Sequence, residues 1–293
     1  MASLIRNYFS LLPILLELSV VLAQSCDIQF DGRVSAGSAV ADFDATNNLF
    51  STDNVFGQGL KFSQLLELPA VTPSLPKFDV NTIPVEVTIS DQSIFAPSAD
   101  NVQTGFRRAE LLPASNSGTD PSTTGVKTLH FSVMKDADRP LNLSHEYQLV
   151  FLESNDFSTN QLVLKTGTIL GQATADPDTL QLIGNVNDGA NVLFSTPFVD
   201  GAFHNFGVTL DFNNLTTQVF FSAGTDALEA VTQPIANDVS GQGQFHFGVL
   251  KKGLNGGDDI VKNGEQEAGI NEGIIFGGIF EEDSSTGCIS LSP

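Results

Sequence analysis

His204-Asn205-Phe206-Gly207-Val208-Thr209-Leu210-Asp211-Phe212 decides the fold. Phe206, Val208, Leu210 and Phe212 take every second position, with Asn205, Gly207, Thr209 and Asp211 between them. Successive side chains of a strand point to opposite faces, so this period gives one apolar face and one polar face. The same alternation extends outward along the chain. Val85, Val87 and Ile89 alternate with Glu86 and Thr88, and Leu129, Phe131 and Val133 with His130, Ser132 and Met134. The stretches 219–223, 245–250 and 274–280 also read as strands, as do 62–68, 106–112, 147–153, 162–166 and 192–194 with weaker periodicity. Turn residues (Gly, Pro, Asn, Asp) separate them, and no long window beyond the N-terminus keeps a helical period. About eleven strands without a repeat imply an all-β fold. We expect a single-domain β-jelly roll, a two-sheet sandwich with an open cleft on the concave sheet. Three longer loops, 69–84, 114–125 and the acidic 253–273, are candidates for cleft walls.

Hydrophobic residues make up 41% of the 293 positions, enough for a packed core and too many for a disordered chain. Thirty-four acidic residues against 13 basic ones leave a net charge of −21. That balance excludes nucleic acid and anionic membranes as partners, because both need clustered Lys and Arg. Arg6, the apolar run 11–23 and the small-residue site Val21-Leu22-Ala23 read as a secretory signal peptide over 1–23, leaving 24–293 as the folded domain. Pro13 and Glu17 interrupt the run, which argues against a spanning helix. The expected location is therefore extracellular. Cys26 and Cys288 make neither a zinc site nor a Cys-x-x-Cys pair, and in an oxidising compartment the economical reading is one disulfide joining the two ends. Asn142-Leu143-Ser144 and Asn214-Leu215-Thr216 are glycosylation acceptors.

His130, His145, His204 and His246 are not at ligand spacing, and Asp258-Asp259 lacks the alternating ligands of a calcium loop. There is no Gly-rich phosphate loop and no Gly-x-Ser-x-Gly elbow, so neither a metal nor a cofactor is expected. Carboxylates within strands remain. In Phe106-Arg107-Arg108-Ala109-Glu110, period two puts Arg108 and Glu110 on one face. The Arg would keep the Glu ionised or fix its direction; the competing reading is an exposed ion pair of little worth. Glu153 closes an apolar strand, where it either marks an exposed end or sits in a cleft. Glu146 competes with it and falls on the opposite face, so at most one of the two should enter a given cleft. On the next strand Gln161 and Lys165 share a face opposite Leu162 and Leu164, and His246 points away from the apolar face of its own strand.

Arg107-Arg108-Ala109-Glu110-Leu111-Leu112-Pro113, then Phe151-Leu152-Glu153-Ser154 with Gln161-Leu162-Val163-Leu164-Lys165-Thr166-Gly167, then the 204–212 stretch, together resemble glycoside hydrolase family 131. The resemblance runs from Asp31-Gly32-Arg33 to Gly277-Gly278-Ile279-Phe280. It implies a fungal, secreted jelly roll acting on β-glucans of β-1,3, β-1,6 and β-1,4 linkage. It also implies a catalytic pair of strand glutamates matching Glu110 and Glu153. Arg108, Tyr147, Gln161, Lys165 and His246 become candidate substrate-binding residues. The expected partner is a β-glucan polysaccharide or oligosaccharide, and the expected state a monomer. The chain lacks Trp, the usual platform for a sugar ring, so Phe and Tyr147 must serve. The resemblance favours inversion, and Arg108 beside Glu110 favours Glu110 as base and Glu153 as acid. Two rivals stay open. Arg108-Ala109-Glu110-Leu111 is also similar to a string of jelly-roll alginate lyases, although their Gln-Ile-His and Tyr-Lys-x-Gly strings are absent. A non-catalytic lectin or cell-wall protein could use the same fold.

Overall fold

Alternating apolar positions do become strands in the computed structural model, which describes residues 26–45, 49–51, 56–69, 76–114 and 121–293. The signal segment 1–23 lies outside the described residues, as do parts of two expected loops, 70–75 and 115–120. In chain order the strands are β1 (Ile28–Asp31), β2 (Val34–Ser35), β3 (Leu66–Glu67), β4 (Thr82–Ile83), β5 (Val85–Ser90) and β6 (Phe106–Leu111). Next come β7 (Val126–Lys135), β8 (Glu146–Glu153), β9 (Asn160–Gly167), β10 (Thr179–Gly184), β11 (Val192–Pro197) and β12 (His204–Asp211). The chain closes with β13 (Thr216–Ala223), β14 (Glu229–Ala230), β15 (Ile235–Ala236), β16 (Gln244–Lys252) and β17 (Asn271–Asp283).

The larger sheet has the order β14-β13-β12-β7-β17-β5-β3, with β1 also on β17 and β15 on β13. The smaller runs β11-β10-β9-β8-β16-β6. Their inner faces make the core of a jelly roll. Phe131, Phe206, Val208 and Phe276 from the larger sheet meet Leu111, Leu164, Phe245 and Phe247 from the smaller. The rings of Phe131 and Phe247 touch across the layers at 6.2 Å. The expected pairing of Cys26 with Cys288 is present, with Cα atoms 5.7 Å apart, and β1 lies against β17 beside it. Asn142 and Asn214 are both exposed.

Three features depart from the alternation reading. The start of 62–68 is a 3-10 turn, Phe62–Gln64, because Ser63 is tied to Asp44 by its hydroxyl (2.6 Å) and its N–H (3.1 Å); only Leu66–Glu67 pairs as a strand. The sixth strand of the smaller sheet, β10, escapes notice because Ile183 fills a position that a half-wet strand would leave polar. The 253–273 loop contains a short helical turn, Ile260–Asn263. The first half of the polar face of β12, Asn205 and Gly207, is also buried: the Asn205 amide donates to Ser222 Oγ at 3.1 Å and accepts from Ser132 at 2.7 Å. Nearby, Phe78 from the 76–81 segment packs on the His130 and Phe280 rings.

Candidate active site

β6, β16, β8 and β9 are consecutive neighbours, so their outward side chains form one continuous patch on the outer face of the smaller sheet. On β6, Ala109 and Leu111 enter the core, which turns Arg108 and Glu110 outward. On β16, Phe245, Phe247 and Val249 enter it, which turns His246 outward. β8 breaks the rule. Its pairing with β9 slips between Gln148 and Val150, and Leu149 and Val150 both lie in the core. A bulge adds one residue and reverses the phase of everything after it. Glu146 and Gln148 before the bulge therefore share the outer face with Phe151 and Glu153 after it. This corrects the expectation that Glu146 and Glu153 oppose each other.

Glu110 sits at the floor of the patch, its side chain fully sealed from solvent. Arg108 donates to it twice, Nε to Oε1 and Nη2 to Oε2, both at 2.7 Å. His246 Nδ1 lies 2.8 Å from the same Oε2. The other imidazole nitrogen, Nε2, lies 3.5 Å from Glu153 Oε2, too far for a good hydrogen bond, and among the described residues it has no other partner although it is buried. Phe151 stacks on the imidazole at 4.3 Å and fixes its plane. Glu153 reaches solvent, with 28% of its side chain exposed. Burial pushes the Glu110 carboxyl up, but Arg108 and His246 together outweigh it and leave the group below the usual carboxylate range. Burial pushes His246 down, and the two carboxylates more than reverse that, so its imidazole holds a proton above the ordinary histidine value.

Further along the same face, Glu146 Oε1 receives Lys165 Nζ at 2.9 Å and Lys252 Nζ at 2.7 Å. Burial raises the Glu146 carboxyl, and the two ammonium groups bring it below its ordinary value. Burial lowers Lys165, only partly offset by Glu146. Lys165 thus joins the face as expected. Gln161 is drawn away: its carbonyl accepts from Gly241 N at 2.7 Å and its amide donates to Gln242 O, clamping the turn before β16. Tyr147 requires a correction. It precedes the bulge in the inward phase, its ring is fully buried in the core, and its hydroxyl donates to Glu272 at 2.7 Å, so it does not line the outer face. Sequence reasoning missed Gln148 and Asn160, whose amides bond at 3.0 Å beside Glu153, because only the bulges bring them there. Lys252 was missed because the apolar pattern stops at Leu250.

Beyond β6 the sheet edge continues: Phe56 bridges to Ala109, and Arg108 N donates to Ser93 O at 2.8 Å. There a cavity of about 510 Å³ is lined by Asp44, Phe56, Gln58, Lys61 and Phe95, among others. The Arg108 guanidinium lies 5.3 Å from the Phe95 ring and links this cavity to Glu110. Among the described residues no three His, Cys, Asp or Glu side chains converge in a group that could hold a metal ion.

A family model described as the glycoside hydrolase 131 catalytic N-terminal domain matches residues 28–287. Solved structures that share the fold include the following two. A GH131 β-glucanase catalytic domain from Podospora anserina superposes with a TM-score of 0.69 at 21% identity, over 90% of this chain and 98% of that one. The catalytic domain of a glycoside hydrolase family 131 protein from Coprinopsis cinerea gives 0.66 at 22% identity, over 91% and 98%. No curated protein matches the sequence.

Proposed function

The chain belongs to glycoside hydrolase family 131, and from that premise we propose that it hydrolyses β-linked glucan on the outer face of its smaller sheet, with Glu110, His246 and Glu153 exchanging the protons. One observation carries this reading: an imidazole held between two carboxyl groups, 2.8 Å from one and 3.5 Å from the other. Glycosidic cleavage needs a proton for the leaving oxygen and a base or nucleophile at the sugar carbon. Arg108 and His246 occupy both oxygens of Glu110, and solvent does not reach it, so Glu110 acts through His246. The raised imidazole is protonated in mildly acidic solution, which makes the Glu110–His246 unit the proton donor. Glu153, open to solvent, is then the base that activates water; inversion needs acid and base about 6.5–9.5 Å apart on opposite faces of the sugar ring, so the two groups must separate as substrate enters. This exchanges the roles that Arg108 alone suggested from the sequence. The 3.5 Å contact must open to admit a glycosidic bond, and among the described residues no other ion pair holds the Glu153 carboxylate.

The substrates are β-1,3-, β-1,6- and β-1,4-linked glucans, and the protein acts as a secreted monomer exported by residues 1–23. The oxidised Cys26–Cys288 bridge accords with export. The test is leaving-group dependence. His246→Asn and Glu110→Gln should lose activity on glucan and keep far more of it on a dinitrophenyl glycoside, whose leaving group needs no proton. Glu153→Gln should lose both, and added formate or azide should restore part. The reverse pattern would return the acid to Glu153. Release of an unsaturated uronate would favour the lyase, and binding without any product the lectin.

A further inference from the structure

Phe157 is the most exposed large apolar side chain among the described residues, 75% open to solvent. It stands at the tip of the β8–β9 hairpin, four residues past Glu153, in the left-handed region at φ 59°. A bulky aromatic residue there is strained, by about 1–3 kcal/mol, and such strain persists only where the surroundings over-determine it.

Here they do. Phe157 N donates to Ser154 O at 2.8 Å, Asp156 accepts the hydroxyls of Ser154 and Ser158 at 2.7 Å each, and Asn155 N ties the turn to Gly241 O at 3.0 Å. Gln161 clamps that same Gly241 from the other side at 2.7 Å. The hairpin is therefore built to hold a ring in water, an arrangement with no benefit to the core. An isolated exposed Phe is ordinary in a protein surface; one held out by a hydrogen-bonded cage four residues past Glu153 in a Trp-free chain is not.

We propose that Phe157 is a stacking platform for a glucosyl unit on the Glu153 side of the site, an inference that rests on the glucan-hydrolase reading above. The position fits a chain lying across the strands. Neighbouring strands are about 4.8 Å apart, so the path from β6 through β16 and β8 to β9 spans three such steps, roughly 14 Å. Phe95 lies beyond β6 on one side of that path, and Phe157 lies in the turn past the ends of β8 and β9 on the other. Sugar rings present C–H faces that pack on an aromatic face while their hydroxyls stay wet.

The experiment measures retention of Glu153→Gln on immobilised β-glucan, which needs no turnover, with and without Phe157→Gly and Phe157→Tyr added. Glycine suits a positive φ, so Phe157→Gly removes the ring without a folding cost, and an unchanged or higher Tm checks this. The expected result is a two- to tenfold weaker affinity for Phe157→Gly, the range of an aromatic contact, and near-parental affinity for Phe157→Tyr. Unchanged retention of Phe157→Gly overturns the inference and leaves the hydrolase reading intact. If Glu153→Gln binds no β-glucan while the unsubstituted enzyme cleaves it, the platform is likewise overturned. Absence of both binding and cleavage overturns both readings.

Discussion

Glu110→Gln removes a charge and almost no volume. Its cost follows from what the carboxylate holds: two hydrogen bonds from Arg108 at 2.7 Å and one from His246 at 2.8 Å, in a site sealed from solvent. Adding three charge-assisted bonds would overstate the loss, because the substitution also relieves the burial of Glu110's own charge. The better guide is the cost of leaving one member of a buried pair alone, about 3–5 kcal/mol. Arg108 keeps 10% of its side chain in contact with water, has Gln103 Oε1 at 3.4 Å and lies against the Phe95 ring, so the lower end applies, about 3 kcal/mol. Activity on glucan should fall at least about a hundredfold, the smaller end of general acid–base effects, since His246 loses the carboxylate that keeps it protonated. Urea unfolding gives the first quantity and kcat/KM on a laminarin-type glucan, at a denaturant-free pH near 5.5, gives the second. Adding Arg108→Met to Glu110→Gln should recover part of the stability and none of the activity, because it removes the orphaned charge without restoring the proton donor. Full activity in Glu110→Gln, or a stability loss below about 1 kcal/mol, would refute the buried relay.

Glu153→Gln should cost little stability, because its carboxylate is partly exposed and its ion pair with His246 is long at 3.5 Å, yet lower kcat on glucan at least about a hundredfold; a thermal melt beside the kinetics separates the two. The pH dependence has two sides. His246 is raised above its ordinary 6.5, so its stabilising contribution is complete below 6.5 and is lost as pH climbs through the folded value; Glu110 is lowered from 4.5, so its contribution is complete above 4.5 and is lost as pH falls through its folded value. Unfolding free energy measured against pH should therefore peak between those two values, the alkaline limb of activity should lie above 6.5, and both alkaline features should vanish in His246→Asn. Gly243→Ala would place a Cβ 1.7 Å from Glu153 O at φ +112°, so it should destabilise by more than about 2 kcal/mol and misplace Glu153; a parental Tm and kcat would count against that geometry. Replacing both Cys26 and Cys288 by Ser opens a 262-residue span, and the chain-entropy model sets the stability loss at about 5 kcal/mol or less, read by urea unfolding; no loss at all would mean the bridge is idle.

Local chemistry was enough to reveal the strands and the joined ends. The alternation of 204–212 and 129–134 follows from the fixed period of a pleated strand, and the pairing of Cys26 with Cys288 was legible because the sequence holds two cysteines, one near each end. Arg108 and Glu110 could be placed together because they stand two apart on a regular strand, where period two holds without any partner. Tertiary structure decided the rest. Whether Glu146, Tyr147 or Glu153 faces outward depends on a bulge at Leu149–Val150, and a bulge is a property of how β8 pairs with β9 and β16 rather than of any residue in it. That His246 stands between the two glutamates was equally hidden, since β16 enters the sheet between β6 and β8 although it lies far from both along the chain. Periodicity is written in one strand at a time. Which strands become neighbours, and how their registers slip, emerges only when two sheets close over a common core, and the candidate site is assembled by both.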